Sequence, residues 1–185
     1  MGITASVIIK CALSYVGITE DPPGSNNVIF NTAYYNRVIN HPDYHWCVVG
    51  VWYTFKECGA ADLFFDGGKT ASCASLWDWA KKNKLTVKTP ARGDLVLFDW
   101  DGNGKANHVG IIKEVYADGS LDTVEFNVDD AVKEMHRTNK AQFIAFIRPK
   151  YDPEVKVPAS CDADTCPILR YMRDIIKDQE GSIKE

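Results

Sequence analysis

The hydrophobic spacing changes period near Pro90, and that change limits what the chain can become. Ahead of it, apolar residues recur every three or four positions, the spacing of a buried helix face. Val7, Ile8, Cys11, Ala12 and Tyr15 make one such stripe over residues 4–15, with Gly17 as a stop signal just beyond. Val48, Val51, Trp52 and Phe55 make a second, over residues 47–57. Leu76, Trp79 and Ala80 make a third, over residues 75–83, with Lys81 and Lys82 in its last turn. The aromatic-rich residues 30–35 follow a loop built from Pro22, Pro23, Gly24, Asn26 and Asn27, and they read as irregular. Behind Pro90 the apolar residues alternate or run in short blocks. Strands are expected at 95–98, 108–115, 121–127, 131–137 and 143–148. Asp118-Gly119 is a hairpin signal and Arg92-Gly93-Asp94 a turn. Helices first and an antiparallel sheet afterwards is an α+β layout.

Length and charge bound the remaining choices. The 185 residues suit one domain and a short appendage, here 1–151 and 152–185. Pro153, Pro158 and Pro167 mark the appendage as a linker, and residues 168–178 carry a short amphipathic helix pattern. A formal net charge of -4 argues against general nucleic-acid binding. No apolar run reaches the roughly 18–20 residues of a membrane span, so no membrane partner is expected. The first ten residues lack a basic stretch ahead of an apolar core, so no secretory signal is read and a cytoplasmic site of synthesis is expected. Six cysteines are present, Cys11, Cys47, Cys58, Cys73, Cys161 and Cys166, with no Cys-x-x-Cys pair. Zinc has poor support, and disulfides have little in a chain this long without a signal.

The chemistry gathers around Cys47. It stands at the head of the second helical stripe, where free N–H groups and the helix dipole favour a thiolate. His108 opens a strand that leads into the Asp118-Gly119 hairpin. The returning strand carries Thr123, Glu125 and Asn127 on one face and Val124 and Phe126 on the other. A histidine can take the thiol proton and later give it to a leaving amine. A carboxylate from Glu125 would fix its tautomer, and Asn127 can support that bond or polarise a substrate. The Cys47 backbone N–H is a natural oxyanion donor. Each residue alone has an ordinary reading: a small core thiol, a satisfied histidine, solvated strand residues.

Beside His108, Asp99, Asp101 and Asn103 occupy positions one, three and five of a calcium-loop pattern. Gly104 stands at six and the Lys105 carbonyl at seven, but Gly110 replaces the usual glutamate at twelve. A turn rich in Asp, Asn and Gly has the same composition. His41, His45 and His136 read as ordinary surface residues. Tyr35, Tyr44 and Trp46 can present flat faces to a ligand or pack in a core.

Trp46-Cys47 before an aromatic apolar helix, then Arg92 to Phe98, His108-Val109-Gly110-Ile111-Ile112 and Val124-Glu125-Phe126-Asn127, together resemble the CHAP family (cysteine, histidine-dependent amidohydrolases/peptidases). Ser25-Asn26-Asn27 ahead of Tyr34-Tyr35 is similar to bacterial and phage members. The resemblance covers about residues 4–149. It implies a papain-like α+β fold with N-terminal helices packed on an antiparallel β-sheet. It also implies a peptidoglycan substrate, cut as an N-acetylmuramoyl-L-alanine amidase or as a stem-peptide or cross-bridge endopeptidase. By motif, Cys47 matches the nucleophile, His108 the base, Glu125 the orienting acid and Asn127 the accompanying amide. Members usually carry glycine between acid and amide, where this chain has Phe126; alternation turns that side chain to the opposite face. No cofactor is required, although some members bind calcium through an acidic N-terminal loop, of which Glu20 and Asp21 are a thin version. Without a signal, the resemblance implies a phage endolysin, held in the host cytoplasm until lysis, whose tail leads toward a wall-binding module. The rival expectations are an inactive wall-binding module and a cysteine protease or antibacterial toxin on the same scaffold.

Overall fold

The computed structural model describes residues 2–154. Contacts divide the chain into Met1–Asp152 and Pro153–Glu185. The expected linker and helix, and Cys161 and Cys166, lie outside the described residues.

Helix α1 (Ala5–Leu13) starts where the Thr4 hydroxyl accepts the Val7 N–H. Helix α3 (Cys47–Glu57) has the expected bounds. Helix α4 (Cys73–Lys82) begins two residues ahead of the apolar pattern, because the Ser72 hydroxyl caps it by accepting the Ser75 N–H at 3.2 Å. The aromatic stretch expected to be irregular is instead a helix, α2 (Ile29–Tyr35). Burial supplies what propensity did not. Phe30 is fully buried among Tyr15, Trp46, Tyr53 and Phe126, and Asn31 donates to the carbonyls of Asn26 (2.9 Å) and Tyr44 (2.8 Å).

Six antiparallel strands follow: β1 (Thr86–Val87), β2 (Leu95–Phe98), β3 (His108–Val115), β4 (Leu121–Val128), β5 (Ala131–Arg137) and β6 (Phe143–Ile147). Their order is β1-β6-β2-β3-β4-β5. The two-residue β1, too short to give a period, pairs only with β6 and escaped the sequence reading. Helices then sheet make the protein α+β.

The sheet has two apolar faces. Leu95, Leu97, Val109, Ile111, Val124, Phe126 and Val132 share one cluster with the buried sides of α1, α2, α3 and α4. Val96, Phe98, Ile112 and Leu121 form a smaller cluster on the other face. Phe126, which stands where the resemblance leads one to expect glycine, is fully buried in the first. Burying a phenylalanine there contributes about 1.5–3 kcal/mol. Room for it comes from Gly50 of α3: a Cβ on Gly50 would lie 2.7 Å from the Phe126 Cβ.

Three tethers close the domain. Cys11 and Cys58 form a disulfide that ties α1 to the end of α3, with Cα atoms 6.6 Å apart. This disulfide differs from the expectation for a chain of this length: its partners are 47 positions apart, and the packing of α1 on α3 brings them together. Asp152 accepts the Ile3 N–H through its carboxylate, and its own N–H returns to the Ile3 carbonyl, both at 2.8 Å. In the Arg92-Gly93-Asp94 turn, Asp94 is buried and takes two 2.8 Å bonds from Arg148 and one from the Ala91 N–H.

Candidate active site

Cys47 is the first residue of α3, and the chain enters it through a pinned Trp46. The Trp46 indole N–H donates to Glu20 Oε1 at 2.7 Å, while Glu20 Oε2 accepts the Asn26 N–H at 2.7 Å. Glu20 is buried, so the loop that reads as a thin acidic motif serves here as a strut. Trp46 stacks on Phe30 and is wholly buried, which makes it core and not a ligand platform. Tyr35 and Tyr44 are half-buried and meet edge to face, 4.9 Å apart. His41 and His45 are exposed, and His136 on β5 bonds Asp122 at 2.7 Å, away from Cys47.

His108, the first residue of β3, meets Cys47 at the start of α3. Its Nε2 lies 2.9 Å from Glu125 Oε2, which leaves the other ring nitrogen for the thiol. Glu125 reaches it because the β3–β4 register sets it opposite Gly110, two residues beyond His108. Glu125 is fully buried and its two oxygens are fully engaged. Oε1 accepts from Thr123 Oγ1 (2.5 Å) and Arg137 Nε (2.8 Å); Oε2 accepts from Arg137 Nη2 (2.6 Å) and faces the histidine.

A stack of rings closes one side of this pair. Phe98 and Trp100 are parallel at 4.5 Å, each lies 5.6 Å from the His108 ring, and the Arg137 guanidinium carbon is 4.9 Å from the Trp100 centroid. Such rings keep water from competing for the His108–Glu125 bond.

Electrostatics follow from these contacts. A side-chain hydrogen bond from Cys73, the first residue of α4, holds the Cys47 thiol well below its ordinary range. Burial opposes this, while His108 and the Val48 N–H assist it. Cys73 itself is pushed up by that bond and by burial, so it stays a thiol and acts as the donor. Burial works against a charged His108, but its bonds to Cys47 and Glu125 outweigh burial and raise it to about 9. Burial likewise opposes a charged Glu125, but Arg137, His108 and Thr123 bring it down to about 2. At neutral pH His108 is therefore an imidazolium beside the Glu125 carboxylate, and its contact favours the thiolate form of Cys47.

Asn127 stands apart from the His108–Glu125 bond. Strict alternation would keep it on the Thr123–Glu125 face. Instead the β4–β5 register shifts between Glu125 and Val128, and Asn127 takes a left-handed φ of 62°. Neither His108 nor Glu125 is bonded to it.

The loop after β2 is closed by its own bonds. Asp99 accepts the N–H groups of Asn103 (3.2 Å) and Gly104 (2.7 Å), and Asn103 Oδ1 accepts the Lys105 N–H at 2.9 Å. Asn107 donates to Asp101 at 2.9 Å and accepts the Trp100 N–H at 3.1 Å, which sets that ring beside His108. Among the described residues, no three His, Cys, Asp or Glu side chains converge as metal ligands.

Three members of the site were missed from sequence. The pattern of Arg137 marks only a strand, and its pairing opposite Leu121 is what puts it on the Glu125 face. Cys73 precedes the apolar stripe of α4 and carried no local signal. Trp100 was part of the proposed calcium loop. Period-two spacing did place Thr123 beside Glu125.

The four carried-over positions fall within residues 39–127, the span that matches the CHAP domain. No curated protein matches the chain. CHAP domains are in general cysteine- and histidine-dependent amidohydrolases and peptidases, with peptidoglycan as the substrate their presence implies. Over residues 39–127 the chain is similar to the CHAP domain, in agreement with the resemblance carried by its motifs.

Proposed function

We propose that the protein hydrolyses an amide bond of bacterial peptidoglycan with Cys47 as nucleophile. The observation that carries this reading is the contact chain from Cys47 through His108 to the buried Glu125. The Cys47 Sγ attacks the amide carbonyl carbon, and the oxyanion forms near the backbone N–H at the start of α3. His108 gives its proton to the departing nitrogen as the C–N bond breaks, leaving a thioester. A water molecule, its proton taken by His108, then attacks the thioester and releases the acid and the Cys47 sulfur. Glu125 holds the ring and stabilises its charged form throughout. The same geometry speaks against an inactive wall-binding module: retaining a peptide requires no thiolate–imidazolium pair in a buried setting.

The amidase and endopeptidase readings share this machinery. Delivery as a phage endolysin is part of the proposal and rests on the resemblance alone. The test is clearing of purified Gram-positive walls by the protein and by Cys47→Ala, with mass spectrometry of what is released. Clearing lost in the variant supports the nucleophile. Free stem peptides then name an amidase, and opened cross-bridges an endopeptidase. Equal clearing by both proteins overturns the assignment.

A further inference from the structure

A carboxylate with no exposure to water stays charged only where hydrogen bonds and opposite charge offset its lost hydration. Glu125 has one hydroxyl donor, Thr123, and one imidazole, His108, and the imidazole must give up its proton during the reaction. The permanent cation in contact with it is Arg137, which reaches both of its oxygens from β5, beyond the CHAP match. We propose that Arg137 is a positioning residue of the site, which keeps Glu125 ionised and aimed at His108 and acts through Glu125 alone. This extends the hydrolase reading and rests on it only where activity is measured.

The groups around Glu125 make a row of alternating charge. Cys47 from α3 is negative, His108 from β3 positive, Glu125 on β4 negative and Arg137 from β5 positive. Cys73 from α4 and Thr123 on β4 add neutral donors. Lys133 pairs with Glu125 in register but turns away to Asp129, whose charge in turn acts on Arg137. The row sums to zero, so it can be buried with its central pair charged. Without its last member, the buried row carries one net negative charge. The least costly relief is for Glu125 to take a proton, and His108 then loses the charge that sustains its imidazolium. Arg137 is suited to this because its planar fork spans both oxygens, which a lysine ammonium cannot do. Trp100 and Phe98 lie 4.9 and 5.6 Å from its guanidinium carbon and hold the fork in place.

The test is a double-mutant cycle read on Cys47 itself. Arg137→Gln, Glu125→Gln and the double variant are alkylated with iodoacetamide across pH, and the Cys47 peptide is quantified by mass spectrometry. Wall clearing is followed in parallel. In Arg137→Gln the upper pH limb of Cys47 reactivity should fall by about 1–3 on the pH scale, toward that of Glu125→Gln. In the Glu125→Gln background, losing Arg137 should change nothing further. Arg137→Lys should restore part of the limb, and if Arg137→Gln does not fold, the same cycle is run with the lysine variant. An unchanged limb in the single Arg137 variant overturns the proposal, as does an equal loss in both backgrounds. The alkylation arm needs no substrate, so it stands even if neither walls nor peptides are cut and the hydrolase reading fails.

Discussion

Gly110 lies opposite Glu125 across the β3–β4 pair, and a Cβ on it would sit 2.8 Å from the Glu125 Cγ. The missing side chain is the space through which the carboxylate reaches His108. Any larger residue must push Glu125 aside, since a fully buried carboxylate held by four bonds from three residues has little room to relax. Gly110→Ala is therefore expected to keep the fold, at a cost of about 1–3 kcal/mol for overpacking, and to lose about 100-fold in wall-hydrolysis rate. Melting and clearing assays together check this. Activity within twofold of the parent would show that Glu125 has slack.

Cys73 gives the second prediction. Among the groups that lower the Cys47 thiol, Cys73 has the largest influence. Cys73→Ala removes the donor and leaves His108 and the Val48 N–H. The lower pH limb of Cys47 alkylation should move up, with the loss of clearing greatest in mild acid and smaller above neutrality. Cys73→Ser, which keeps a donor, should lie between the two. A limb that does not move in either variant would mean that His108 alone sets the thiolate.

The site was more legible than its surroundings, and the reason is physical. Cys47 and His108 begin a helix and a strand, and Glu125 follows from period-two alternation in β4, so local pattern is enough to place them. Asn127 fell outside because a bulge breaks that alternation, and a bulge depends on the partner strand and its register. Arg137 and Cys73 enter the site from elements distant in sequence. The same holds for Cys11–Cys58 and for α2, whose helix is fixed by Phe30 and Asn31 finding partners elsewhere in the fold. The helices-then-sheet order was readable throughout, because a change of hydrophobic period survives any packing detail.

Calcium supplies a third test. The sequence pattern over Asp99, Asp101, Asn103 and Lys105 fits either a partial calcium loop or a turn, and the loop already spends the oxygens of Asp99 on two backbone N–H groups. An entering ion would have to displace both, and the loop supplies no bidentate carboxylate at its last position. Clearing is therefore expected to survive EDTA, with no rise in melting temperature on adding calcium. Loss of clearing in EDTA that calcium restores, and that Asp99→Asn abolishes, would show that the ion is required and that these bonds yield to it.

The pH dependence follows from His108 and Glu125, with opposite signs. The folded His108 is raised from 6.5 to about 9, so its contribution to stability is fully present below 6.5 and is lost as pH rises through 9. The folded Glu125 is lowered from 4.5 to about 2, so its contribution is present above 4.5 and is lost as pH falls toward 2. Between about 4.5 and 6.5 both are intact, and urea unfolding should show the greatest advantage of the parent over Glu125→Gln in that window. Activity should have a wider plateau, because its lower limb belongs to Cys47, held well below its ordinary range, and its upper limb to His108 near 9. Wall clearing that falls off near 7 on the alkaline side would mean that His108 titrates as an isolated imidazole and that its bond to Glu125 does not persist in solution.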